Sequence, residues 1–270
     1  MDRDYGQSYE RLYREHWWWR SREEFLRKVI QGLKLPIRPS ILDIGCGDGL
    51  FLESLSEFGG IVEGLESDAS LVSRDSANRH RIHIGPFDRT FKPNKQYGLI
   101  LMLDVLEHLP EPEEALKQAV ELLDSDGLVL ITVPAFPCLW TTHDDINHHY
   151  VRYTKQTLNR LATSAGLRID LMRYFFHWLV PLKLAVRLKE MIIPTQPTPP
   201  KIPTPSVNRA MLAISRLEQR ICERYPFPVG SSLLAVGGRR LLEYDKEIID
   251  GHCVRKMRGH RIKKWLSPFA

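Results

Sequence analysis

The most constraining stretch of the chain is Ile41-Leu42-Asp43-Ile44-Gly45-Cys46-Gly47-Asp48-Gly49, an apolar run followed by glycines at three alternate positions. A strand that runs into a glycine-rich turn and then a helix brings bare backbone against a ligand. The contact lies at the strand's carboxyl end, the ligand side of an open α/β sheet. A dinucleotide fingerprint would need glycines at 45, 47 and 50, and position 50 is Leu. Asp43 stands two residues before the first glycine. A carboxylate there is wrong for cradling pyrophosphate and suits a ligand that carries an ammonium group.

Around this motif, short apolar runs alternate with amphipathic segments. Strands are expected at Ser40–Ile44, Ile61–Leu65, Arg81–Ile84, Tyr97–Leu103, Leu128–Val133, Leu167–Phe175 and Ser232–Gly237. Tyr97–Leu103 is continuously apolar, as in a strand buried on both faces. Helices are expected at 8–34, Leu50–Phe58, Ala69–Asn78 and Glu111–Leu123, from a Thr154 cap to near Gly166, at His177–Ile193, and after a Ser206 cap. In the last of these, Val207, Met211, Ile214, Leu217 and Ile221 fall on one side. Strands alternating with such helices imply a parallel sheet with right-handed crossovers. Residues 194–205 are half Pro and must be extended and exposed. The triple Trp17-Trp18-Trp19 puts rings on more than one helix face, for packing on the main domain or for lining a pocket.

Composition narrows the class. Six basic residues and no acid lie in 251–270, so of 38 Lys+Arg only 32 remain to face 33 Asp+Glu in the first 250 residues. That near-balance argues against a nucleic-acid-binding body and leaves a basic tail to explain. Cys46, Cys138, Cys222 and Cys253 are scattered, without metal-finger spacing, which fits a reducing compartment. The N-terminus is charged, and no apolar run is long enough to span a bilayer. A cytoplasmic protein is the expectation.

The pattern D-x-G-x-G-x-G at Asp43–Gly49 resembles the first motif of the class I S-adenosylmethionine (SAM)-dependent methyltransferases, in their small-molecule branch. Three further stretches support the resemblance in the correct order: Gly64-Leu65-Glu66, Leu103-Asp104-Val105-Leu106-Glu107-His108-Leu109 and Thr132-Val133-Pro134. It covers roughly residues 40–175 and the final strand. It implies a Rossmann-like, doubly wound seven-stranded sheet with helices on both faces and one antiparallel strand near Ser232–Gly237, plus a helical cap. It also implies SAM as cofactor. Gly45, Cys46 and Gly47 would line its methionine part, with Asp43 toward the ammonium and Leu103 and Asp104 beside them. Glu66 would accept both ribose hydroxyls. Phe87 and Asp88 would border the adenine, where Pro86 replaces the acid many relatives carry after the glycine.

The segment Trp140–Thr154 follows the fifth strand and so shares the glycine loop's edge of the sheet. His143, His148 and His149 lie within seven residues, beside Asp144 and Arg152. Neutral imidazole can take a proton from an acceptor as a methyl arrives, and a carboxylate can fix its tautomer. His143, Asp144, His148 and Arg152 are therefore the candidates for acid–base or orienting work. The alternative is an ordered loop whose polar groups satisfy one another. His143, Asp144 and His148 also have ligand chemistry, but loop histidines often cluster without metal, and no metal is assigned. Glu107 and His108 are expected to anchor the turn after the fourth strand.

The chain divides into an N-terminal helical cap (1–39), a SAM-binding core (40–176), a helical and Pro-rich insertion (177–230), the final strand and helix of the core (231–250) and the basic tail (251–270). Nucleobase and arginine methyltransferase signatures are absent, which favours a small-molecule acceptor. The insertion, with Tyr174–Leu182 and with Lys183, Arg187 and Glu190 on one helical face, suits an apolar or lipid-like one. The expected reaction is methyl transfer to oxygen, less readily to nitrogen or carbon. The alternatives are a SAM-binding protein without turnover and an NAD or nucleotide-sugar enzyme. Insertion and tail together would suit peripheral contact with an anionic membrane. Nothing in the sequence sets the oligomeric state.

Overall fold

The computed structural model describes residues 3–193 and 200–240. Seven strands form one sheet: β1 (Ser40–Ile44), β2 (Ile61–Glu66), β3 (Ile82–Ile84), β4 (Tyr97–Leu103), β5 (Leu123–Pro134), β6 (Leu167–Phe175) and β7 (Ser232–Arg239). The order is β3-β2-β1-β4-β5-β7-β6. All neighbours are parallel except β7, which runs antiparallel to both β5 and β6. The expected architecture is therefore the observed one. β4 has neighbours on both sides and alternates its side chains between two cores. Tyr97, Ile100 and Met102 go to one, Leu99 and Leu101 to the other. That double burial is why the strand reads as a continuous apolar run.

Helices differ from expectation where polar side chains capture the backbone. The expected helix 8–34 is two, α1 (Arg3–Glu15) and α2 (Trp17–Gly32). They break at His16, whose extended backbone lets its ring accept from the Trp18 N–H at 3.1 Å. α3 (Leu50–Leu55) stops short of Phe58. No helix spans Ala69–Asn78. One 3-10 turn, Ala69–Leu71, stands there and a second, Arg79–Arg81, follows it; along the stretch Asp68 accepts from Ser70 N–H, Ser73 from Asp75 and Ser76 from Asn78. Such Asx and ST turns offer the backbone partners a helix would otherwise supply. α4 (Pro112–Glu121) leads to β5, which starts earlier than expected because Leu123 already pairs with Tyr97.

The remaining helices are α5 (Thr142–Ile146), α6 (Lys155–Ser164, capped by Thr154), α7 (Leu179–Ile192) and α8 (Pro205–Arg224). The cap of α8 is Thr204 with Pro205 at the first helical position, not Ser206. α8 lies on α2 through polar groups. Arg216 forks onto Glu24, Gln219 donates to the Ser21 carbonyl, and Asn208 accepts from Trp17 N–H. The segments at either side of the core thus meet as one helical layer. Trp17 and Trp18 pack on Phe176 and Trp178, so the rings serve packing. The apolar side of α8 is the reverse of a packed one. Val207, Ile214, Leu217 and Ile221 are exposed, while Leu212, Ser215 and Cys222 are buried. The helix expected in 231–250 and the basic tail lie outside the described residues beyond Arg240.

Candidate active site

The carboxyl ends of β1, β2, β4 and β5 converge on two neighbouring constellations. In the first, Gly45, Gly47 and Gly49 all have positive φ, so the turn after β1 coils tightly. A Cβ on Gly47 would meet nothing within 4 Å, so the loop borders open space. Gly64 is needed for a different reason: a Cβ there would lie 2.3 Å from Cys46 Sγ. Glu66 braces the loop, its Oε2 accepting from Gly47 N–H at 2.9 Å and its Oε1 from Asp68 N–H at 2.9 Å. Oε1 also accepts from the Ser67 hydroxyl at 3.4 Å, and Oε2 keeps a lone pair for a further donor.

Asp43 sits at the back of this space. Its Oδ1 is buried and has no hydrogen-bond partner. Burial pushes its carboxyl up to about 7, Arg22 pulling it down and Glu66 pushing it further up. Arg22 comes from α2, donates to Asp104 Oδ2 at 2.6 Å, and lies over the Trp18 ring. Its Nε is buried and unpartnered. Asp104 directly follows β4 with φ 58°, a conformation that Asp tolerates better than most residues, and also accepts from the Thr132 hydroxyl at 3.1 Å. Leu103 pairs with Thr132 beside it. On the β3 side, Phe87 packs on Phe91, and exposed Asp88 turns its carboxylate onto Thr90 N–H and hydroxyl.

The second constellation is a buried frame. α5 begins with a capping box in which Asp144 accepts from Thr141 N–H at 2.9 Å. Arg152 Nη1 donates to both Asp144 oxygens at 2.8 and 2.9 Å, and its other nitrogens donate to the Ala135 and Ser231 carbonyls. His149 Nδ1 completes the set, 2.8 Å from Asp144 Oδ1. Burial alone would raise the Asp144 carboxyl. The His149 hydrogen bond, the Arg152 charge and the Thr141 amide hold it far below its ordinary value instead.

The four sequence candidates therefore divide. Asp144 and Arg152 are buried and spent on one another and on backbone, which makes them positioning residues. His143 and His148 are exposed. His148 has φ 54°, and this reversal sends it outward and turns its neighbour His149 inward. His143 lies near Lys183; desolvation and that charge lower its imidazole, which is neutral at pH 7.

α7 closes the site from above. Glu190 accepts from Thr142 N–H and hydroxyl at 3.1 and 2.8 Å, and Arg187 donates to the Trp140 carbonyl. Lys183, on the same helical side, is pushed down to about 8 by burial and by Arg152, against Asp144 and Asp104.

Comparison with known proteins decides what this edge of the sheet is. Residues 18–171 match the methyltransferase domain family, more than half the chain. The chain belongs to the class I SAM-dependent methyltransferases. Among curated proteins, a ubiquinone biosynthesis O-methyltransferase of Coxiella burnetii is 26% identical over 163 residues, 53% of this chain and 68% of that one. Among solved structures, a SAM-dependent methyltransferase from Archaeoglobus fulgidus aligns with TM-score 0.51 at 18% identity, over 80% of this chain and 91% of that one. A TehB-like one from Corynebacterium glutamicum does so with TM-score 0.51 at 17% identity, over 87% and 96%.

As a methyltransferase, the chain takes SAM as its cofactor, and the residues present fit that group. The unpartnered Asp43 oxygen suits an ammonium, and Gly47 leaves room where a side chain would stand. Sequence reasoning missed Arg22, saw Lys183 only as part of a substrate wall, and counted His149 in the cluster without giving it a role. The first two come from distant helices whose approach no local spacing reports. His149 depends on the backbone reversal at His148.

Proposed function

We propose that this methyltransferase carries the methyl group of SAM to an oxygen of a small, lipid-like acceptor taken up at an anionic membrane surface. SAM supplies an already activated sulfonium methyl, so the chain's task is alignment and proton handling. In this reading Asp43 holds the ammonium, and Gly45, Cys46 and Gly47 the methionine chain. Arg22 offers its free Nε to the carboxylate, and Glu66 takes the ribose hydroxyls. Leu103 and Asp104 border the methyl side, Phe87 and Asp88 the adenine side. His143, neutral at pH 7 and beside Lys183, is the group we assign to accept the acceptor's hydroxyl proton. Oxygen as the methylated atom draws support from the O-methyltransferase named among the relatives.

The observation that carries the acceptor class is the two-sidedness of α7. One side, through Lys183, Arg187 and Glu190, faces the active-site frame. The other exposes Leu188, Met191 and Ile192, the last two at 74% and 80%. The outward apolar residues of α8, Val207, Ile214, Leu217 and Ile221, add a second exposed apolar stripe. Lys189, Arg209 and Arg220 stand among these residues, and the sequence continues into the six basic residues of 251–270. Apolar surface fringed by basic charge complements an anionic bilayer, at about 1 kcal/mol per basic residue. Among the described residues, no helix is long and apolar enough to cross a membrane.

The test combines binding and turnover. The full chain should co-sediment with vesicles containing phosphatidylglycerol at low salt and less at high salt, and Met191→Gln with Ile192→Gln should reduce that binding. Incubation with methyl-labelled SAM and a cell extract should place label in the organic phase. Label confined to water-soluble products, or no sedimentation at low salt, overturns the lipid-borne acceptor.

A further inference from the structure

The turn that follows Asp104 brings three potential metal ligands together, a different set from the His143, Asp144 and His148 weighed on sequence. Glu107, His108 and His149 each present a ligand atom, and these atoms lie within 4.8 Å of one another. Glu107 and His108 come from a 3-10 turn after β4, His149 from the segment after α5. The two segments are locked together. Tyr150 N–H donates to the Glu107 carbonyl at 2.7 Å, and the Tyr153 hydroxyl to the Leu106 carbonyl at 3.3 Å.

Each group is prepared in a way that packing alone does not explain. Glu107 is 1% exposed and its Oε2 has no partner, although an unpaired buried carboxylate oxygen is costly. His149 gives Nδ1 to Asp144, which leaves Nε2 with its lone pair free. His108 gives one ring nitrogen to the Asn147 carbonyl, which frees the other. The two rings meet edge to face, with centroids 4.6 Å apart. Imidazoles whose second nitrogen is tied to a carboxylate or carbonyl are the usual arrangement around a bound metal. Here the outer carboxylate, Asp144, is itself fixed by Arg152 through both oxygens.

We propose that Glu107, His108 and His149 bind a divalent transition-metal ion, with Asp144 and the Asn147 carbonyl orienting the two histidines. Two imidazoles and one carboxylate favour zinc, iron(II), cobalt or manganese over magnesium or calcium, whose ligands are mostly oxygen. Three protein ligands leave coordination positions open. Because Glu107 lies three residues from Asp104, an open position would take an oxygen of the acceptor and fix it near the methyl. That last role rests on the functional reading above; metal binding itself does not.

The experiment uses the untagged full chain, stripped with a chelator and dialysed against zinc, with bound metal counted by elemental analysis. About one equivalent should be retained. Glu107→Gln and His149→Ala should each weaken retention at least tenfold, and His80→Ala should not. Cobalt in place of zinc should give visible bands without an intense thiolate transition, since Cys46 is not a ligand. If His149→Ala fails to fold, His108→Gln, at an exposed residue, replaces it. Retention of one equivalent in folded Glu107→Gln, or none in the wild type, overturns the site. SAM affinity measured on the same metal-free samples reports separately on the methyltransferase reading.

Discussion

Two aspartates near the same sheet edge are almost equally buried, Asp43 at 3% and Asp144 at 1% exposure, and they meet opposite fates. Asp144 accepts four hydrogen bonds, from Thr141 N–H, His149 Nδ1 and Arg152 Nη1 onto both oxygens, and is held ionised. Asp43 keeps an oxygen with no partner and is pushed up to about 7. Burial is common to both, so the difference lies in what the fold supplies to oppose it. Where the protein provides its own cation, the acid builds structure. Where it provides none close enough, the acid stands ready for a cation from outside. An unsatisfied carboxylate in this fold marks a ligand better than a cluster of polar residues does.

The largest effect should come from breaking the satisfied acid. Asp144→Ala leaves the buried Arg152 guanidinium without its partner and removes the α5 cap. Loss of one member of a buried pair costs about 3–5 kcal/mol. Urea denaturation should show a fall of that size. A loss below about 1 kcal/mol would mean that Arg152 finds other acceptors and that the frame is not what fixes α5.

The same experiment on the unsatisfied acid should run the other way. Asp43→Asn removes a charge-assisted bond to the SAM ammonium, about 1.5–3 kcal/mol, and titration calorimetry should show binding weakened by tenfold or more. Its folded stability should rise. The Asp43 carboxyl is raised from 3.8 to about 7, so the folded state holds its proton more tightly than the unfolded chain. Stability therefore falls as pH rises from about 4 to 7 and stays lower above. The variant should gain most over wild type at pH 8 and least at or below about pH 4. Unchanged SAM affinity in folded Asp43→Asn would remove Asp43 from the cofactor pocket.

These two acids also show what could be read from residues alone. The strands were legible because each declares itself through local apolar pattern, and Asp43 through its place before three glycines; the antiparallel strand came from the family resemblance, and the strand order shows only in the pairing. The frame was legible only in part. Asp144 and Arg152 stood out by type, but their pairing spans eight residues, and the Ser231 carbonyl that completes it comes from the far end of the core. Ala69–Asn78 failed as a helix because alternating Ser, Asp and Asn captured the backbone at short range. α8 shows the opposite failure. Its apolar stripe was plain in the sequence, yet polar groups from α2 claimed the other side and left the stripe outward. Periodicity reports that a face exists and says nothing of what covers it.

A smaller effect separates the two acids by pH. SAM brings an ammonium that needs Asp43 ionised, so binding below pH 7 must first expel a proton. Affinity should rise by up to tenfold per pH unit between 5 and 7 and level off above. Asp43→Asn should remove that slope. A slope that persists in the variant would assign the titration to another group.

The smallest effect concerns the adjacent histidines, where backbone geometry alone decides which belongs to the frame. His148 is exposed, and its left-handed φ is one that Asn also adopts readily. His148→Asn therefore keeps the turn, disturbs no side-chain bond, and should change stability by less than about 0.5 kcal/mol. His149→Ala, one residue on, deletes the imidazole that donates to Asp144 and should cost about 1–3 kcal/mol by leaving an acceptor underused in a buried site. The two melts, read together, test the reversal at His148 directly. Equal losses in both variants would mean that the pair can exchange inward and outward positions. The frame would then rest on Asp144 and Arg152 alone.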